Sequence, residues 1–345
     1  MGFADQTGCQ IWSPLNFIHP EKARSLYIEH VYEHYCKYWC STRQGFLRKA
    51  KTFRKEDTDV NMTGKVCMVT GANQGIGYAI AQAFASRGAK VYMVCRNKER
   101  GEIAVSKIRS ETDNKRVFLE VCDISSLQQI QTLTSRFNDT NQPLHVLVNN
   151  AGGLELTRRE SEDGLELNFA TNVAGMFRIT ELLQPALKKA APDCRVISVS
   201  SSRMYLSSLS MSLQFDDEGK FNPMEHYQQY KRLQVAITEY WAKIYGPQGI
   251  GFYSMHPGWV ETEAVRRNNP KLYEKQRKFM RTPEQGADTV LWLALKPRSK
   301  LEQGGFFIDR SARAKHLPGF GTSYTDESFS TTMRVVREKC TLLMP

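Results

Sequence analysis

Between about residue 64 and about residue 310 the chain alternates short apolar runs with helical stretches, a pattern that a sheet covered on both faces satisfies. KVCMVT is β-branched and apolar; KVYMVCR, RVFLEVCD, LHVLVNN, RVISVSS and IGFYSMHPG follow the same plan, and GGFFID is the candidate to close the series. YAIAQAFASRG, KERGEIAVSKIRSE and SLQQIQTLTSRFN lie between the early runs with helical spacing. Strands apolar at nearly every position suit a parallel sheet buried on both sides. The expected fold class is α/β: a doubly wound parallel sheet with helices on both faces, preceded by a helical N-terminal extension.

TGANQGIG, residues 70 to 77, sits between the first strand and the first helix. In that context Gly71 permits a tight turn, Gly75 lets backbone approach a pyrophosphate, and Gly77 lets the helix pack closely on the strand. The helix start offers free N–H groups and the positive end of its dipole. This is the signature of a dinucleotide-binding Rossmann sheet. The second strand ends in Cys95 and Arg96, followed by Asn97 and Lys98. A carboxylate there would hold a ribose 2′-hydroxyl and select NAD(H). Arg96 instead suits a 2′-phosphate, so NADP(H) is expected and NAD(H) is the less favoured cofactor. The bland alternative is a solvated residue at a strand end.

Sixty residues of different character come first. Ile28, Val31, Tyr32, Tyr35, Tyr38 and Trp39 share one helix face, and FLRKAKTFRK places Phe46, Leu47, Ala50 and Phe53 opposite basic groups. The second segment reads as a basic amphipathic helix, packed on the main domain or lying on an anionic membrane surface. The expected units are a helical extension over 1–60, the main domain over 61–315 and a polar tail over 316–345, with a terminal helix near FSTTMRVVREKC. The formal charge is +11, concentrated in one cluster at 43–55 and another at 266–281. Nucleic acid is not an expected partner, since no aromatic-basic RNA signature accompanies the clusters. Eight cysteines with no CxxC pair suit a reducing compartment and no metal site, and Cys67, Cys95 and Cys122, each in or at the end of an apolar run, are expected as buried free thiols in strands. No secretory layout or apolar run of spanning length is present, so the expectation is cytoplasmic, with peripheral membrane contact left open.

The run YQQYK places Tyr227 and Lys231 one helical turn apart on one face. An ammonium beside a phenol favours the phenolate. Of the 14 tyrosines, Tyr227 is the one followed by lysine four positions on; for Tyr230 that position is Gln234. Together with TGANQGIG, CDISS, NNAG at 149–152, TNVAG at 171–175, VSS ahead of Ser202 and HPGWVET, the chain resembles the classical short-chain dehydrogenase/reductase family over about 64 to 310. It is most similar to the retinol-dehydrogenase-like branch, and ADTVLWLAL, SMHPGW and GGFFIDR resemble one member of it more closely still.

The resemblance implies a catalytic set of Asn172, Ser201, Tyr227 and Lys231, with Ser200 and Ser202 as near neighbours of the carried-over serine. It implies cofactor contacts along Thr70, Gly71, Asn73, Gln74, Gly75, Ile76 and Gly77. Further contacts follow at Arg96, Asp123, Ile124, Asn149, Asn150, Ala151, Gly152, Pro257, Gly258, Val260 and Thr262, and at Tyr227 and Lys231 themselves. Asp123 would meet the adenine, Lys231 the nicotinamide ribose, and Asn172 would kink a helix and hold a proton-relaying water. Tyr227 lies 26 positions after Ser201, more than the compact spacing of the family, and LSMSLQFDDEGKFNPMEH is expected as a substrate-side loop. VRRNNPKLYEKQRKFMRTPEQG, after the Pro-Gly turn, is the other candidate substrate segment; its basic and aromatic make-up suits an anionic or membrane-presented apolar molecule. His226 beside Tyr227 points elsewhere on a helix and reads as structural. The expected activity is interconversion of a small-molecule carbonyl and an alcohol by an NADP(H)-dependent oxidoreductase. A catalytically silent cofactor-binding sensor is the alternative, and a homodimer is left open.

Overall fold

A computed structural model describes residues 41–209, 221–317 and 321–341. The expected helix at 28–39 and the turn cluster from Asp216 to Gly219 lie outside the described residues. Among the described residues, eight strands form one sheet in the order β3-β2-β1-β4-β5-β6-β7-β8. These are β1 (Val66–Thr70), β2 (Lys90–Cys95), β3 (Val117–Val121), β4 (Val146–Asn149), β5 (Cys194–Val199), β6 (Ile250–Met255), β7 (Phe306–Ile308) and β8 (Ser311–Arg313). The first seven pair in parallel; β8 folds back antiparallel on β7. The order reverses between β1 and β4, the switch point beside which open α/β sheets bind ligands.

Side chains alternate along each strand, so Val66 and Met68 enter one apolar layer while Cys67 and Val69 enter the other. Helices α2 (Gly75–Ala85), α3 (Lys98–Thr112) and α10 (Pro283–Leu295) close the second layer. The first is closed by α4 (Leu127–Asp139), α5 (Gly175–Leu182), α6 (Gln184–Lys189) and α7 (Pro223–Tyr245). Two shorter helices, α8 (Glu263–Asn268) and α9 (Pro270–Gln276), lie between β6 and α10. The buried cysteines Cys67, Cys95, Cys122, Cys194 and Cys340 are free thiols, as the apolar strand contexts of the first three suggested.

Two expectations change. The terminal helix forms as α11 (Asp326–Thr341), but it is no appendage to a polar tail. Phe329, Met333, Val336 and Cys340 fall on one face and complete the first apolar layer against α5 and α7. The basic helix also stops early: α1 spans Arg43–Ala50, capped by Thr42, and Phe53 lies beyond its end. Its apolar residues do not share one free face. Phe46 is buried with the Arg281 guanidinium 5.1 Å from its ring, Phe53 is half-buried with the Arg310 guanidinium at 4.3 Å, and Leu47 is exposed. Separate tertiary anchors for the two phenylalanines replace the continuous helical face that periodicity suggested.

Candidate active site

The glycine turn is built on the end of β1. The Thr70 hydroxyl accepts from the backbone N–H groups of Asn150 at 3.0 Å and Ala151 at 2.9 Å, while the Asn150 amide donates to the Thr70 carbonyl at 2.8 Å. These bonds tie the two carboxyl-terminal strand ends that flank the switch point. Gly71 and Gly75 hold φ of +65° and +56°, the left-handed region that side chains resist. A β-carbon on Gly77 would stand 2.3 Å from the Gly71 carbonyl oxygen. Only glycine therefore lets α2 begin against the turn. Gln74, its cap residue, makes no side-chain cap bond, so Asn73, Gln74, Gly75 and Ile76 present backbone at a helix start open to an anion.

The other candidate positions ring this turn. Arg96 is exposed at the end of β2. After β3, the Asp123 carboxylate accepts from the Ser125 amide at 2.9 Å and hydroxyl at 2.8 Å, and Ile124 is buried beneath Gly175. Asn149 turns its side chain into the core and donates to Thr180 at 2.9 Å, holding α5 to the sheet. Gly152 passes close to two of the candidate catalytic residues: a β-carbon there would be 2.9 Å from Asn172 Oδ1 and 3.5 Å from Lys231 Nζ. After β6, Gly258 has φ +87° and Val260 bridges to Arg281, while Thr262 caps α8 through the Val265 amide.

Asn172 lies in a π-helical turn, Ala170–Ala174, that follows the helical turn Leu167–Phe169. The widened turn is an irregularity of the helix at the position where the family resemblance implied a kink. The Asn172 amide donates to the carbonyls of Asn168 at 2.8 Å and Gly153 at 2.9 Å. Its own carbonyl accepts from Gln234 at 2.7 Å, and Gln234 accepts from Lys231 Nζ at 3.0 Å. Lys231 also donates to the Val199 carbonyl at 3.1 Å. Asn172, Gln234, Lys231 and the Val199 carbonyl thus form one hydrogen-bonded line joining the π-helical turn, α7 and β5. Gln234, noted in the sequence for not being lysine, is the middle of that line.

Helix α7 presents Tyr227 one turn inside its start, where Asn222 caps the Met224 and Glu225 amides and Pro223 occupies the first turn. The Lys231 ammonium lies 5.3 Å from the Tyr227 ring centroid. Ser200 is buried and donates to the Lys231 carbonyl at 2.8 Å, and Ser202 is buried; Ser201 is the half-exposed member of the three, accepting from the Arg203 amide. Tyr230 faces away from Lys231. It is buried and donates to the Glu166 carboxylate at 2.9 Å. Glu166 also accepts from the Asn168 and Phe169 amides, so it fastens α7 to the turn that leads to Asn172. His226 is buried between the rings of Phe221 and Tyr230, a structural position. Glu166 was not foreseen, because nothing local distinguishes it from other acidic residues 64 positions from its partner.

Burial pulls the Lys231 ammonium from 10.5 down to about 7. The unfolded chain keeps the ordinary value, so between about pH 7 and about pH 10 it holds more protons than the folded one. Lys231 therefore contributes a stability that rises with pH across that window in the cofactor-free protein. Buried thiols titrate in the opposite sense above about pH 8.5. The readout is accordingly the difference in unfolding free energy between wild type and Lys231→Met at several pH values. That difference is expected to grow in favour of wild type as pH rises; a difference constant with pH would refute the assignment.

A largely parallel sheet with a glycine turn at its switch point, and a Tyr–Lys pair near Gly152 after β4, is the arrangement expected of a nucleotide-binding oxidoreductase. The short chain dehydrogenase family profile matches residues 65–212. Human "Dehydrogenase/reductase SDR family member 12" is 40% identical over 278 residues, covering 80% of this chain and 86% of the relative; the Bos taurus protein of that name is 39% identical over 298 residues, covering 86% and 93%. Human "Retinol dehydrogenase 11" is 34% identical over 252 residues, covering 72% and 79%. The chain belongs to the short-chain dehydrogenase/reductase family, in its retinol-dehydrogenase-like branch. Among solved structures, the "Pseudomonas aeruginosa RhlG/NADP active-site complex" superposes with a TM-score of 0.59 at 23% identity, covering 71% of this chain and 94% of that one, a likeness of fold.

Proposed function

We propose that the protein is an NADP(H)-dependent oxidoreductase that interconverts a carbonyl and an alcohol on an apolar small molecule. The observation that carries this reading is the placement of Tyr227 over the Lys231 ammonium, at 5.3 Å, near Gly152 after β4. The residues present suit the cofactor. The left-handed Gly71 and Gly75, the close approach at Gly77 and the helix start without a side-chain cap leave backbone donors for a pyrophosphate. When bound, the reduced cofactor supplies the hydride. Tyr227 gives a proton to the carbonyl oxygen, or takes one from the alcohol. Free tyrosine titrates at about 10, and a positive charge beside a phenol favours its phenolate. Ser201 hydrogen-bonds the same oxygen and fixes its position. Lys231 would hold the ribose hydroxyls, and the Asn172–Gln234 line keeps Lys231 oriented.

Arg96 favours the phosphorylated cofactor, since it is exposed at the end of β2 and no carboxylate stands in its place. Arg96→Asp removes a charge-assisted partner worth roughly 1.5–3 kcal/mol and adds repulsion. The ratio of NADPH to NADH dissociation constants is expected to shift by about tenfold to a hundredfold toward NADH. Wild-type protein that prefers NADH would sink the assignment without any variant. The activity itself is tested by turnover on a panel of apolar aldehydes and ketones, with retinoids first because several relatives are named retinol dehydrogenases. Cofactor binding without turnover on any of them would favour a silent binding protein.

A further inference from the structure

Two basic segments, far apart in sequence, meet on the folded molecule. Residues 43–55 hold six basic side chains and no acidic one; residues 263–279 hold six against Glu263 and Glu274. Their net charges, +6 and +4, make up nearly all of the chain's +11. The fold clamps them together. The Trp259 amide donates to the Ser41 carbonyl at 2.7 Å, Arg281 Nε donates to the Thr42 carbonyl at 3.3 Å, and α1 packs on the turn Arg277–Phe279. Concentrating like charge in this way costs stability through self-repulsion, and the cost is offset when an anionic partner covers the surface.

The two acidic groups do not neutralise the patch. Glu263 pairs with Arg266 at 2.8 Å and Glu274 with Arg277 at 3.6 Å, leaving Lys51, Lys271, Lys275 and Lys278 exposed around them. Large apolar side chains stand among these lysines: Leu47 is 42% exposed, Phe279 46% and Leu272 36%. A polyanion such as nucleic acid would use the charges and leave these side chains unpaired. A bilayer surface uses both, taking the ammonium groups at its headgroups and the apolar tips at the acyl boundary. The same segment is joined to the rim of the candidate active site, because Asn268 donates to the Leu154 carbonyl at 2.7 Å and Arg267 pairs with Glu155 at 3.4 Å.

We infer that α1 and the segment from α8 to Phe279 form one composite face that docks on anionic lipid membranes, beside the entrance to the active site. The face places the entrance where a bilayer-dissolved substrate leaves the lipid. That consequence rests on the proposed reaction; the docking itself does not. It also differs from insertion of a free amphipathic helix, since Phe46 and Phe53 are engaged with Arg281 and Arg310.

The test is flotation of the full chain with vesicles of phosphatidylcholine alone, or of phosphatidylcholine with about a third phosphatidylserine. Binding is expected on the anionic vesicles only, and is expected to fall at least about tenfold between about 0.05 and about 0.5 M salt as charges are screened. Lys51→Glu in the first segment, and Lys275→Glu with Lys278→Glu in the second, are each expected to reduce binding at least about fivefold, and together to abolish it. Phe279→Ser is expected to weaken binding with the charges intact. Thermal unfolding of each variant shows that the fold is kept. Three results would overturn the inference: no wild-type binding to anionic vesicles, binding that survives the three charge reversals, or binding of DNA but not vesicles by the same face. No turnover is needed for this readout, so it fails or succeeds separately from the proposed activity.

Discussion

Tyr227→Phe is expected to lower kcat by about 10²–10⁴-fold, the range that a positioned acid–base group contributes, while leaving the NADPH dissociation constant within about twofold. Only the phenolic oxygen is lost, and the ring over Lys231 remains. Tyr230→Phe is the informative partner. Its hydroxyl serves the buried Glu166 carboxylate at 2.9 Å rather than any reacting atom. Its removal is expected to cost about 1–3 kcal/mol of stability, as for a buried polar group deprived of a partner. Turnover should fall less than about tenfold, through looser placement of Asn172 and α7. Single-turnover kinetics and denaturant unfolding on both variants separate the outcomes. A Tyr230→Phe protein that is inactive, beside an active Tyr227→Phe, would reverse the reading of the two tyrosines.

Those two tyrosines show how far the sequence could be read. The i, i+4 relation of Tyr227 and Lys231 is local, and a helix converts it directly into proximity. The same holds for TGANQGIG, whose strand–turn–helix setting is carried within one continuous segment. The apolar strands were legible for the same reason, since burial on both faces writes itself into consecutive residues. What could not be read depends on pairs distant along the chain. Glu166 is an ordinary acidic residue until Tyr230 arrives beneath it. Gln234 gains its place only when Asn172 is brought alongside by the π-helical turn. Strand β8 has three residues, two of them exposed, and carries no apolar alternation by which to find it. For α1 the periodicity was present but misleading: Phe46 and Phe53 do pack edge to face at 5.8 Å, yet each answers to a different arginine of the main domain.

Arg281 is the clearest case of a residue whose importance only the fold reveals, and it carries the largest expected effect on stability. Its side chain is 1% exposed and forms a two-pronged ion pair with Asp309, itself buried, at 2.6 and 3.0 Å. Two further donors reach the Pro257 and Thr42 carbonyls at 3.3 Å. A β-carbon on Gly258 would come within 2.2 Å of Arg281 Nε, so the left-handed glycine and the arginine fit only each other. One guanidinium thus joins α1, the run from Pro257 to Val260 and the turn after β7. Removing it while leaving Asp309 would strand a buried carboxylate, which typically costs about 3–5 kcal/mol. Arg281→Met is therefore expected to destabilise the cofactor-free protein by that amount in denaturant unfolding. Replacing both members, Arg281→Met with Asp309→Leu, is expected to recover part of the loss, because no charge is then left without a partner. Arg281→Lys should fall between, since an ammonium cannot grip both carboxylate oxygens and the two carbonyls at once. A loss below about 1 kcal/mol for Arg281→Met, or a double variant less stable than the single one by the full cost of a second independent lesion, would show that the pair does not bind these three elements together.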